Sequence, residues 1–78
     1  MISAVVLVTT ESGSSQDQIL DSLRNIEGVE EAHALYGLYD LIIKIKAQTI
    51  EKIKDAIRIR IRQIAGVTSS LTLLIIEH

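Results

Sequence analysis

The chain has 78 residues, 47% of them hydrophobic, with 8 basic against 10 acidic side chains and a net charge of -2. A chain of this length is expected to form a single domain, residues 1–78, and buries only about 60% of the surface that its unfolded form exposes, so self-association is expected to extend its core. It contains no Cys, Pro, Trp or Phe, which excludes disulfides and cysteine-based metal sites, and its charge gives no reason to expect a nucleic-acid backbone as partner.

Met1 leads straight into ISAVVLV without a basic stretch or a small-residue cleavage site, so this segment reads as a strand and not a signal peptide. The apolar runs are too short to span a bilayer, and the expected location is the cytoplasm, with no membrane contact. Residues Ile2 to Thr10 are β-branched and apolar and end at the turn-rich ESGSSQ, which predicts a first strand. Ser15 and Gln18 then have the spacing of a capping box. Ile19, Leu23 and Ile26 recur at helical intervals with Leu20 alongside, and Gly28 stands where a helix would end. Val29 opens a second strand, VEEAHALY, which turns at Gly37 into YDLIIKIKA, so strands two and three are antiparallel neighbours. A glycine at such a turn supplies the positive φ that two-residue hairpin turns demand, and Asp40 beside it can bond backbone amides locally.

The stretch IEKIKDAIRIRIRQI alternates Ile and Arg in its middle, as a strand would. Its length argues for a helix: Ile50, Ile53, Ile57, Ile61 and Ile64 fall on one face, with no Gly or Pro to interrupt it. Ile59 then points to the opposite side. VTSSLTLLII makes the fourth strand. Ile26-Glu27-Gly28-Val29 and Ile64-Ala65-Gly66-Val67 both read as helix end, glycine cap and strand start, so the chain is β-α-β twice. This predicts an α+β, ferredoxin-like βαββαβ fold, with a four-stranded antiparallel sheet and two helices on one face. Val5 to Val8 and Leu71 to Ile76 are apolar on both faces of their strands, whereas the helices cover one. The second face therefore needs a partner, and packing two such sheets together would make a two-fold dimer.

Many unrelated functions share this fold, so the side chains must discriminate between them. Metal chaperones of this shape carry a Cys pair in the first loop, which is absent. RNA-binding relatives of the fold stack bases on sheet aromatics, but Tyr36 and Tyr39 both lie at one turn. Acylphosphatase-like enzymes need an Arg after strand one, and ESGSSQ has none. His33 stands mid-strand without a nucleophile or second histidine at useful spacing, and His78 is terminal, so both are expected to be non-catalytic. No catalytic residue, metal or cofactor is expected. Lys54, Arg58 and Arg62 form a stripe that could attract anions, though Glu51 and Asp55 balance it as a solvated face. Two clusters remain: the turn Gly37-Leu38-Tyr39-Asp40, and Thr68, Ser70 and Thr72, whose hydroxyls are expected on one face of strand four at its start.

The Gly-x-Tyr-Asp turn entering an apolar strand, followed by a helix ending in Gly66-Val67 with hydroxyls at Ser70 and Thr72, resembles the effector domain of the Lrp/AsnC (feast/famine) regulators. GVEEAHALYG fits the same pattern, and the resemblance runs from Ile2 to Ile76. Full-length members add a helix-turn-helix, and this chain starts at the first strand, so it looks like a stand-alone module for regulation of amino-acid metabolism. The resemblance implies dimers paired through their sheets, assembled into a ring of dimers, an octamer, with amino acids held in clefts between dimers. It also implies that Gly37, Leu38 and Tyr39 offer backbone groups, that Asp40 meets the ligand ammonium, and that Thr68, Ser70 and Thr72 line the cleft, Ser70 and Thr72 offering hydroxyls. Thr is commoner than Ser at position 70 in that pattern. Full-length regulators of the same type are implied as further partners. Two alternatives stand beside it: an ACT-type amino-acid sensor, whose ligand would sit by Gly13, and a purely structural assembly module.

Overall fold

The computed structural model describes residues 1–76; His78 lies outside them. The elements run β1 (Ile2–Thr10), α1 (Gln16–Arg24), β2 (Val29–Ala34), β3 (Leu41–Ala47), α2 (Ile50–Asp55) continued by a π-helical segment (Ala56–Ile61), and β4 (Val67–Ile75). The sheet order is β2-β3-β1-β4, with every neighbouring pair antiparallel, as the ferredoxin-like reading predicts.

Helix α1 starts where Ser15 Oγ accepts the Gln18 N–H at 3.3 Å, and it buries Ile19, Leu20 and Leu23. Arg24 in its last turn complements the helix dipole and donates to the Ala32 carbonyl at 2.8 Å, which ties the helix to β2. Ile26, expected on the helical stripe, lies beyond the helix end and packs against the core from there.

The second helix starts at Thr49, whose Oγ1 accepts the Lys52 N–H at 3.1 Å. Its sequence predicts one regular helix, but from Ala56 the turns widen, and the Arg62 N–H reaches back five residues to the Ile57 carbonyl at 2.9 Å. At 3.6 residues per turn, side chains four apart drift about 40° around the axis, and a wider turn reverses that drift. Ile53, Ile57 and Ile61 are thereby all buried on the sheet. Ile64 is half-buried, while Ile50, placed on the same stripe by its spacing, is the first residue of the helix and is 41% exposed.

Ala4, Val6 and Val8 of β1 and Leu41, Ile43 and Ile45 of β3 form the buried, helix-facing rows. On the other face, Val5 and Leu7 stand beside Leu73 and Leu71 of β4, and Leu7 also pairs with Ile42. Among the described residues no helix covers this face, and Leu71, Leu73 and Ile75 are exposed.

Both helix-to-strand corners are built alike. Leu23 O accepts the Ile26 N–H and Ile26 O accepts the Val29 N–H; Ile61 O and Ile64 O do the same for Ile64 and Val67. Gly28 and Gly66 have φ of 93° and 96°, the left-handed region that a side chain resists.

The β2–β3 connection is longer than a two-residue turn, because the strands separate after Ala34 and the Leu35 N–H closes the loop on the Asp40 carbonyl at 2.8 Å. Gly37 lies at φ 159°, close to extended backbone, and a Cβ there would have nothing within 4 Å. A left-handed turn is therefore not what this glycine provides.

Candidate functional site

Asp40 sits half-buried where three strand ends meet. Its N–H donates to the Val8 carbonyl at 2.9 Å, and its Oδ2 accepts from the Thr10 N–H at 2.7 Å and from Thr10 Oγ1 at 3.2 Å. Beyond it, the Glu11 N–H donates to the Gly66 carbonyl at 2.7 Å. The carboxylate thus takes the last amide of β1, and the end of β1 is stitched to the starts of β3 and β4. Thr10, separated from Asp40 by thirty positions in sequence, carries no local signal of this role.

From that anchored base the loop projects outward. Tyr36 and Leu38 are fully exposed, at 106% and 94%, and Tyr39 is half-buried. Large apolar side chains held this far out of a core are unusual for a solitary domain and common at contact surfaces.

The hydroxyls divide into two sets. Between Thr9 and Thr10 the β1–β4 register shifts: Thr9 faces Ser69, and Thr10 faces Val67, so β4 carries Thr68 as an extra residue. Thr68 Oγ1 consequently lies 2.9 Å from Thr9 Oγ1 and donates to Thr9 O at 3.1 Å, and Ser69 Oγ bonds the same Thr9 hydroxyl. The expectation that Thr68 shares a face with Ser70 and Thr72 is therefore corrected, since a bulge breaks the two-residue alternation behind it. Ser70 and Thr72 pair with Val8 and Val6 and stand on the helix side of the sheet, both half-buried. Thr9, Thr10 and Ser69 join the polar cluster at this end, where no motif in the sequence places them.

Within one chain, the Gly37–Tyr39 loop and the Ser70–Thr72 pair are not brought together by any described hydrogen bond. Thr72 instead lines a groove of 660 Å³ between β4 and the second helix, alongside Leu74, Ile53, Ile57 and the cationic stripe. That stripe is partly balanced as expected: Arg58 pairs with Asp55 at 3.2 Å, and Lys54 approaches Glu51 at 4.0 Å. His33 is exposed and meets Glu31 at 3.2 Å on the uncovered side of the sheet. The described residues contain no cluster of His, Cys, Asp and Glu able to hold a metal ion.

Residues 3–78 match the model of the Lrp/AsnC ligand binding domain. An uncharacterized HTH-type transcriptional regulator of Pyrococcus abyssi is 32% identical over 81% of this chain, which spans 42% of that protein's length. The homocitrate synthase of Sulfurisphaera tokodaii is 32% identical over 97% of this chain and 16% of its own. Among solved structures, FFRP-DM1 superposes with a TM-score of 0.90 at 29% identity, covering 97% of this chain and 100% of that one. A transcriptional regulator of Neisseria meningitidis in complex with L-Met shares the fold alone, at a TM-score of 0.88 and 14% identity over 97% of this chain and 50% of its own. With the family pattern running through nearly every residue of a sheet and helix arrangement that agrees with it, the chain belongs to the Lrp/AsnC ligand-binding-domain family.

Proposed function

We propose that this chain is an amino-acid-binding and oligomerisation module that acts on transcription through assembly with related regulators bearing a helix-turn-helix. The observation that carries the reading is the Leu35–Asp40 loop, a tip with exposed Tyr36 and Leu38 whose base is pinned by Asp40 to Thr10. A loop held out in this way suits a cleft completed by a second subunit. Both Thr10 bonds fall on Asp40 Oδ2, which leaves Oδ1 to meet a ligand ammonium. Ser70 and Thr72 of a neighbouring subunit supply hydroxyls across the cleft, Gly37, Leu38 and Tyr39 supply backbone groups, and Thr68 braces the strand start from the other face.

The apolar face carrying Val5, Leu7, Leu71 and Leu73 supports a two-fold dimer, and the projecting loops support a further ring of such dimers, an octamer. The L-Met complex of the Neisseria regulator supports an amino acid as the effector class. The function is that of a regulatory binding domain and not of an enzyme, and its place is the cytoplasm beside the regulators it joins.

The test is a calorimetric titration of the twenty amino acids against wild type and Asp40→Ala, with sedimentation run alongside. One amino acid is expected to bind wild type, and its affinity is expected to fall about thirtyfold or more in the variant, as for loss of one partner of a desolvated charged pair. Binding of equal strength to both proteins would remove Asp40 from the site. No binding at millimolar concentration would leave a structural assembly module, and a stable 8.6 kDa species in sedimentation would remove the cleft altogether.

A further inference from the structure

The groove between β4 and the second helix touches the effector reading only through Thr72, and its chemistry differs from that of the Gly37 loop. At 660 Å³ it falls within the roughly 300–1,000 Å³ that small-molecule sites occupy. Ile53, Ile57 and Leu74 give it an apolar floor, and Leu74 remains 45% exposed there. Lys54, Arg58 and Arg62, four residues apart in sequence, stand along one wall. Among the described residues no acidic side chain lines the groove, although the chain as a whole carries a net charge of -2. Arg62 belongs to none of the described ion pairs and Lys54 meets Glu51 only at 4.0 Å, so these two keep positive charge to offer, while Arg58 shares its guanidinium with Asp55 at 3.2 Å.

We propose that this groove binds a small monoanionic amphiphile, a carboxylate whose short apolar chain lies over Ile53, Ile57 and Leu74 and whose head meets Arg58 and Arg62. An apolar floor beside a one-signed rim selects for both parts of such a molecule, since either part alone leaves the other wall unmatched. The widened turns between Ala56 and Ile61 carry Arg58 and lead directly into Arg62, and they keep Ile53, Ile57 and Ile61 in line on the sheet side while both arginines stay at the rim. A second copy seated symmetrically here would set two Lys54-Arg58-Arg62 rows against each other, and an anionic bilayer would be repelled by the chain's net charge. The free small anion escapes the first objection and meets the second with a single charge.

Calorimetric titration with octanoate, octanol and octylamine tests this. Octanoate is expected to bind wild type, octanol more weakly, and octylamine not at all, with octanoate affinity falling as salt rises. The double variant Arg58→Glu/Arg62→Glu is expected to lose about tenfold or more, and Arg62→Gln about two- to fivefold, as for exposed charge pairs. Both variants are to be checked for unchanged melting, because Arg58 is exposed and its loss leaves the core intact. Asp40→Ala, which removes the amino-acid site of the proposed function, is expected to leave octanoate binding unchanged, so the two readings fail separately. Equal binding of octylamine, unaltered affinity in the folded double variant, or no octanoate binding to wild type at millimolar concentration would each overturn the proposal. Binding that appears only when dilution dissociates the protein would assign the groove to a second copy and overturn it as well.

Discussion

At Gly28 and at Gly66 the chain leaves a helix and enters a strand through the same steps: a positive φ, two successive three-residue bonds of which the first reaches the helix end, and a carbonyl that accepts an amide from another part of the chain. Gly28 O takes the Lys46 N–H at 2.9 Å, and Gly66 O takes the Glu11 N–H at 2.7 Å. The neighbours differ. A Cβ at Gly28 would meet the Lys46 backbone carbonyl at 2.6 Å, whereas one at Gly66 would meet the Ser14 hydroxyl at 2.7 Å. One corner is wedged against main chain that cannot turn aside, and the other against a side chain that can. The Gly66 corner is also the one beside Thr10 and Asp40. An identical local motif is thus made rigid or adaptable by what the rest of the fold places beside it, and here the adaptable copy lies at the end that carries the candidate site.

Gly28→Ala puts this contrast under the greatest load. A side chain in the left-handed region costs about 1–2 kcal/mol, and displacing the Lys46 strand puts the Lys46–Gly28 bond at risk, so a loss of about 3 kcal/mol is expected. Denaturant unfolding at one fixed protein concentration measures it, since the proposed self-association would make stability depend on concentration. A loss below that of Gly66→Ala would mean the two corners do not differ in the way described.

Gly66→Ala comes next, at about 1–2 kcal/mol, because Ser14 can rotate away while the backbone penalty stays. Asp40→Ala should cost about 1 kcal/mol of stability by freeing the Thr10 amide, an effect confined to the Gly66 end. Hydrogen exchange at Thr10, faster in the variant while Lys46 is unchanged, would localise it. The smallest effect is a coupling: Ser14→Ala in the Gly66→Ala background should restore about 0.5 kcal/mol, measured as a double-mutant cycle. The recovery is partial because Ser14 Cβ and Ile19 Cδ1 each lie 3.1 Å from the added methyl. Strict additivity would show that Ser14 does not set the tolerance of this corner.

The corners also mark how far the sequence can be read. Ile-x-Gly-Val appears twice in one chain, each step of it is local, and both corners form as the pattern predicts. Strand order and the uncovered apolar face follow in the same way, from periodicity and from the count of helices. What escapes is set by distant contacts. Counting in twos puts Thr68 on the face of Ser70 and Thr72, and only the pairing with Thr9 and Thr10 reveals the inserted residue. The widened helix keeps its isoleucines at the four-residue spacing of an ordinary helix, so its sequence does not distinguish the two geometries. Asp40 stands out in the sequence as an acid at the mouth of an apolar strand, but the residue it holds, Thr10, becomes its neighbour only once β1 and β3 have paired.

The two outer strands of the sheet carry different risks for the cell that makes this protein. β2, at one edge, reads VEEAHA and presents Glu30, Glu31 and His33, charges and a polar ring that discourage another strand from adding to it. β4, at the other edge, reads VTSSLTLLI, with neither proline nor charge along its nine residues, and exposes Leu71, Leu73, Leu74 and Ile75. Segments of that composition with an open edge are the ones that seed cross-β aggregates. Under the assembly proposed above, a newly synthesised copy would be in a race between meeting its partner and meeting the bare β4 of another unassembled copy. Burial of that edge in an assembly would act as a safeguard for solubility, and overproduction without partners should yield inclusion bodies that Leu73→Lys relieves.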